Sequence, residues 1–196
     1  MQIKNLSNRH DLQGKRVAVL AADGFEQSEL MVPIDALESC GARIDVITPE
    51  GEAIRGWEEE DWGQTISADV ALDDAVPEDY DALLLPGGVI NSDALRMLPA
   101  AREFTAHFLK HDKHAFVICH GAQVLIDAGV VKDRTMTSYQ AIATDLKNAG
   151  AKWLDEEVVQ DGKFITSRSP DDLPAFCARI CAALDDAKGH RTLPVN

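Results

Sequence analysis

The chain has 196 residues, 45% of them hydrophobic, and a formal net charge of −14. That length and apolar content supply one sizeable core and one domain, while so acidic a surface repels phosphate backbones and argues against nucleic acid as a partner. No apolar run reaches the roughly 20 residues of a membrane span, and the opening MQIKNLSNRHDLQGK lacks a signal-peptide apolar segment, so a cytoplasmic protein with no membrane partner is expected.

After a polar extension over residues 1–14, Arg16–Ala21 is a continuous apolar run and the first expected strand. DGFEQSEL turns into a helix running to about Cys40, with Leu30, Ile34 and Leu37 on one stripe, Pro33 as a source of kinking and Gly41 as its stop. Arg43–Thr48 is the second strand. Residues 51–72, with Trp57, the acidic run Glu58–Asp61 and Trp62, suggest short irregular strands and turns; the tryptophans are candidate interface anchors. Tyr80–Leu85 is the next strand, ending at Pro86, Gly87 and Gly88, where bare backbone N–H groups can approach a ligand or form a plain tight turn.

Asn91, Ser92 and Asp93 offer N-cap chemistry to a helix from about Asp93, and a second helix covers Pro99–His111. Ala115–Ile118 is a short buried strand that runs without a linker into Cys119, His120 and Gly121, then into Ala122–Ala128 at helical spacing with Gly129 as stop. A short strand at Arg134–Ser138, a helix at Ala141–Asn148, a hairpin of Trp153–Val159 and Lys163–Ser167 around Asp161-Gly162, and a closing helix from Pro170 to about Ala187 complete the domain at 15–187, with a tail at 188–196. Strands alternating with helices imply an α/β fold with a doubly wound, mostly parallel sheet and helices on both faces.

The strand-to-helix corner carries the chemistry. It leaves Cys119 in strained geometry at the carboxyl edge of the sheet, where a helix N-terminus favours a thiolate nucleophile. Gly121 leaves room for close backbone approach. The alternative is a buried structural cysteine beside a surface histidine. Cys40, Cys177 and Cys181 form no CxxC pair and have no histidine cluster, so neither zinc, a disulfide framework nor any cofactor is expected.

The segments DGFEQSEL, DALLLPGG, VICHGAQVLIDAGV and TSYQAIATDLKNAGAKWLDEEVVQDGKFITSRSPDDL resemble the PfpI-type family, in the superfamily of the parkinsonism-associated protein deglycase, over roughly Lys15 to Leu184. The resemblance implies a class I glutamine amidotransferase-like fold, a flavodoxin-like three-layer sandwich, with Cys119 as nucleophile, His120 as its histidine, and Glu26 as the acid hydrogen-bonded to the thiol. It implies an oxyanion hole from the amides of Gly87, Gly88 and His120. A third triad member, an acid after the glycine pair, would come from a neighbouring copy. Asp93 matches that acid if one residue is inserted and Ser92 takes its place otherwise, and a homodimer or higher homo-oligomer follows.

Family members include cysteine peptidases, deglycases, glyoxalases and stress proteins. A small elbow pocket suits a stress-protective hydrolase acting on a small carbonyl or a carbonyl-modified protein. The alternatives are an intracellular cysteine peptidase and, from another class, a redox sensor or chaperone using an oxidisable Cys119.

Overall fold

The computed structural model describes residue 6 and residues 9–186. The first half of the chain runs β1 (Arg16–Leu20), β2 (Phe25–Glu26), α1 (Gln27–Ser39), β3 (Arg43–Thr48), β4 (Ile54–Glu58), β5 (Asp61–Ile66), β6 (Val70–Ala71), β7 (Ala82–Leu85) and α2 (Val89–Met97). It continues through α3 (Pro99–Lys110), β8 (His114–Ile118), α4 (Ala122–Asp127), β9 (Thr135–Met136), α5 (Ala143–Asn148), β10 (Lys152–Trp153), β11 (Val158–Asp161), β12 (Phe164–Ser167) and α6 (Leu173–Asp186).

The main sheet has seven strands in the order β11-β12-β8-β7-β1-β3-β6. Every pair in it is parallel except β11 with β12. Alternate residues of the central strands feed two cores, which is why those strands read as unbroken apolar runs. Val17, Val19, Leu84, Phe116 and Ile118 face α1 and α6, packing on Leu30, Leu37, Phe176 and Ile180. Ala18, Leu20, Leu83, Leu85 and Val117 face the other side, against Leu95, Phe104, Phe108, Leu125 and Leu146. Burying each such side chain contributes about 1.5–3 kcal/mol.

Several boundaries differ from expectation. Residues 1–14 are not simply a polar extension: Leu6 and Leu12 are buried in the α1/α6 core, and the Leu12 N–H donates to Cys40 O at 2.7 Å. The tail at 188–196 lies outside the described residues. Residues 54–66 form a hairpin, β4 with β5, whose register shifts between Arg55 and Trp57 and which docks by β4 on β2; Trp57 faces Trp62 across it with ring centroids 5.5 Å apart. Helix α2 starts at Val89, directly after the glycines, rather than near Asp93. The final hairpin turns at Gly162-Lys163, since Asp161 already pairs with Phe164.

Parallel pairing brings the ends of β7 and β8 level, with Leu85 opposite Val117. The Pro86–Gly88 loop and the Cys119 corner therefore meet at one sheet edge, where open α/β sheets place their ligands.

Candidate active site

Cys119 sits at φ 60, in the left-handed region that costs a side-chain-bearing residue on the order of 1–3 kcal/mol. The corner is held by the Tyr139 N–H, which donates to Cys119 O at 3.3 Å, and the chain leaves it through a single 3₁₀ turn over Cys119–Gly121 into α4. The turn swings the neighbouring ring back: His120 Nδ1 lies 3.3 Å from Cys119 Sγ, and the ring leans on Tyr139 with centroids 4.8 Å apart.

The acid at the thiol is Glu29, not Glu26. Glu29 is fully buried in the first turn of α1, interacts with the Cys119 thiol, and its Oε2 accepts the Gly87 N–H at 2.9 Å. Its Oε1 has no hydrogen-bond partner, so the approach to sulfur is one that a carboxyl proton would complete. Glu26 is the N-cap residue of α1, half-buried at the cavity wall, where its Oε1 accepts from Ser28 Oγ at 3.1 Å. They stand three positions apart, and of the two only Glu29 shares the buried stripe with Leu30, Pro33, Ala36 and Leu37. A carboxyl on such a stripe needs a partner; that signal was present in the sequence and was missed.

Burial pushes the Glu29 carboxyl up to about 8, against hydrogen bonds with Cys119 and the Gly87 N–H that pull it down, and the Glu26 charge adds to the rise. At neutral pH the carboxyl is mostly protonated. The thiol is also pushed up, first by burial and then by any charge on Glu29, while the N–H groups of His120 and Gly88 favour the thiolate. The expectation of a thiol acidified by the helix end is therefore corrected: α4 has six residues, and burial outweighs its dipole. Glu29 and Cys119 titrate as a pair that loses its first proton near pH 8. That first proton leaves Glu29, while burial and the charge then on Glu29 hold the Cys119 proton more tightly. Burial lowers the His120 ring's affinity for a proton, so the ring is neutral at pH 7.

The glycine pair divides its work. A Cβ on Gly87 would stand 2.6 Å from Cys119 Cβ, and the Gly87 N–H is already given to Glu29, so it is not a free oxyanion donor. The amides of Gly88 and His120, which face the sulfur, are the remaining donors. Gly88 has φ 90, and a Cβ there would come within 2.7 Å of Glu26 N. Gly121 does not face the cavity: it packs on the carbonyls of Leu85 and Pro86, 2.9 and 2.8 Å from where its Cβ would be. Asn91, read from sequence as N-cap chemistry, is instead the buried brace of the loop. Its Oδ1 accepts the Ala22 N–H at 2.7 Å and its Nδ2 donates to Pro86 O and Gly87 O at 3.2 and 3.0 Å.

The cavity above Cys119 encloses about 390 Å³; Glu29, Gly88 and His120 line it with Cys119, and Tyr139 and Trp57 wall it. Cys119 is only 7% exposed, yet its exposed part faces this space. Asp93 lies exposed on α2 and is not among the lining residues, whereas Ser92 is fully buried with its hydroxyl unpartnered. Among the described residues no group of three or more His, Cys, Asp or Glu side chains is placed to hold a metal, and no helix is long and apolar enough to cross a membrane. All four cysteines are free.

Residues 15–183 match the DJ-1/PfpI family. The chain is 42% identical over 164 residues to Protein/nucleic acid deglycase 2 of Escherichia coli K12, covering 83% of this chain and 93% of that one. It is 42% identical over 163 residues to a Bacillus subtilis protein named "Putative cysteine protease YraA", covering 83% of this chain and 94% of that one. The crystal structure of Drosophila melanogaster DJ-1beta superposes with a TM-score of 0.79 at 29% identity, covering 87% of this chain and 90% of that one.

Proposed function

Because the chain belongs to the DJ-1/PfpI family, we propose that it is a cysteine-dependent enzyme that hydrolyses short dicarbonyl adducts, in the manner of a deglycase or glyoxalase. The observation that carries this reading is the buried Glu29 carboxyl beside the Cys119 sulfur, under a cavity of about 390 Å³ that fits a short adduct. The E. coli relative's name points the same way.

The chemistry balances without an external oxidant. The carrier thiol or amine first leaves the methylglyoxal adduct with the hydroxyl proton, restoring the aldehyde, and the sulfur of Cys119 then adds to that carbon, its alkoxide taking up the thiol proton. The proton on that carbon then moves to the adjacent carbonyl carbon, oxidising the first to an acyl group and reducing the second to an alcohol. Water hydrolyses the resulting lactoyl thioester to lactate and the free thiol. The amides of Gly88 and His120 stabilise the oxyanion, neutral His120 takes the thiol proton as sulfur attacks and passes it on, and protonated Glu29 donates to the sulfur as charge develops there.

The reading includes a second copy of the chain. Among the described residues His120 has the Cys119 sulfur and the Tyr139 ring as partners and no carboxylate to orient it. Asp93, exposed on α2, is available to a neighbour's histidine; Ser92, with no exposed surface, is not.

Lactate release from methylglyoxal hemithioacetals tests the function. Release by wild type that disappears in Cys119→Ala is expected; no release, or equal release by the variant, contradicts it. The Bacillus relative's name supports a peptidase as the second reading, which predicts cleavage of unfolded casein lost with the same substitution.

A further inference from the structure

The mouth of the cavity has a charge pattern that the reaction itself does not require. Its wall carries Glu26 and Glu59 and the rings of Trp57 and Tyr139, and among the described residues no lysine or arginine lines it. Its one basic side chain, His120, is held neutral by burial. Beneath this rim the fully buried Glu29 presents an oxygen without a hydrogen-bond partner.

Glu26 receives only the Ser28 hydroxyl, and Glu59 has no ion pair among the described residues. Arg55, in the same hairpin, is committed elsewhere: Nε donates to Gly63 O at 3.1 Å and an Nη to Trp62 O at 3.2 Å, with the guanidinium 5.9 Å over the Trp62 ring. Glu59 is also fixed in place. It has φ 54, and its carbonyl accepts the Trp57 Nε1–H at 2.9 Å, so the indole that walls the cavity pins the residue beside it. Carboxylates next to an aromatic face form a receptor for a cation, and the chain's net charge of −14 draws cations from a distance.

We propose that this rim is a cation subsite: Glu26 and Glu59, with the Trp57 ring, hold the ammonium or guanidinium group of a basic carrier, so that carbonyl adducts on or beside basic side chains are favoured over those on anionic carriers. The proposal rests on the carbonyl-adduct reading for its substrate, but the subsite has a test of its own.

Two methanethiosulfonates of similar size, one bearing trimethylammonium and one sulfonate, are reacted with the full chain. The rate at Cys119 is read by peptide mass spectrometry; each reagent forms a mixed disulfide with the thiolate and releases methanesulfinate. Relative to the same ratio for a free small thiol, the cation-to-anion ratio is expected to rise about tenfold at low salt. It is expected to fall toward the free-thiol value in Glu26→Gln/Glu59→Gln and at high ionic strength. A wild-type ratio equal to the free thiol's, or one that survives the double substitution, overturns the subsite; Glu59→Gln alone, on an exposed turn, serves if the double variant does not fold.

A second arm compares lactate release from methylglyoxal adducts of cysteamine, of 3-mercaptopropionate and of a guanine nucleotide. Preference for the cationic carrier, lost in the double variant, supports the proposal; equal or faster turnover of an anionic carrier overturns it. Should no adduct be turned over, the functional reading fails, and the labelling ratio alone decides the subsite.

Discussion

Glu29 and Cys119 press on Gly87 from two sides: the Glu29 carboxyl takes the glycine's N–H at 2.9 Å, and Cys119 Cβ and Sγ stand 2.6 and 3.0 Å from where a Cβ would be. One carboxyl thus fixes the loop after β7 and meets the sulfur after β8. The strained corner, the glycine and the acid form a single unit, and substitutions at any of the three should be felt at the others.

Gly87→Ala is expected to lower stability by about 2 kcal/mol, the usual cost of overfilling a packed site. It should also slow alkylation of Cys119, because the methyl group must displace either the sulfur or the carboxyl. Urea unfolding and peptide-resolved iodoacetamide labelling check both effects; wild-type values in both would mean the loop has slack that these distances deny.

Glu29 sets a pH dependence whose sign is fixed. Its carboxyl titrates near 8 in the folded chain and near 4.5 when unfolded. The stability linked to this proton is complete below about pH 4.5 and is lost as pH rises through about 8. Glu29→Gln removes that slope, so between pH 5 and pH 8 the wild type should lose on the order of a few kcal/mol relative to the variant. Parallel denaturant curves across this range measure it, and identical slopes would show that the carboxyl is not buried as described.

The fully buried Asn91 makes three hydrogen bonds that join the end of β1 to the Pro86–Gly88 loop. Asn91→Ala leaves those backbone groups unpaired and is expected to cost about 3 kcal/mol. Asn91→Asp should recover little, since a carboxylate cannot donate to the carbonyls of Pro86 and Gly87. Full rescue by aspartate, measured by thermal unfolding, would contradict the assignment.

Asp93 separates a structural from an intermolecular role. As an exposed residue on α2, Asp93→Ala should change monomer stability by no more than about 0.5 kcal/mol. If a second copy uses it to orient His120, the same substitution lowers lactate release about tenfold. Unchanged release alongside unchanged stability would remove Asp93 from the reaction.

How much of this was legible in the sequence follows from where each signal lies. The central strands are buried on both faces, so they read directly as apolar runs, and the Cys119 corner stood out because no linker separates Ile118 from the turn. Glu29 went unread because two glutamates three residues apart look equivalent until helical phase is considered, and only Glu29 falls with Pro33, Ala36 and Leu37. Asn91, beside Ser92 and Asp93, looks like local capping chemistry, but its partners Ala22 and Pro86 belong to other strands' ends, which local spacing does not encode. The β4–β5 hairpin was obscured by its acidic turn; its register shows only once Trp57 is seen opposite Trp62.

The central claim, that the Cys119 sulfur does the chemistry, is tested most directly by titrating the enzyme with iodoacetamide while following lactate release and labelling on the same samples. Loss of release in direct proportion to labelling of Cys119, with Cys40, Cys177 and Cys181 unmodified in the folded chain, is the predicted result. Release that persists after Cys119 is fully labelled would contradict the account.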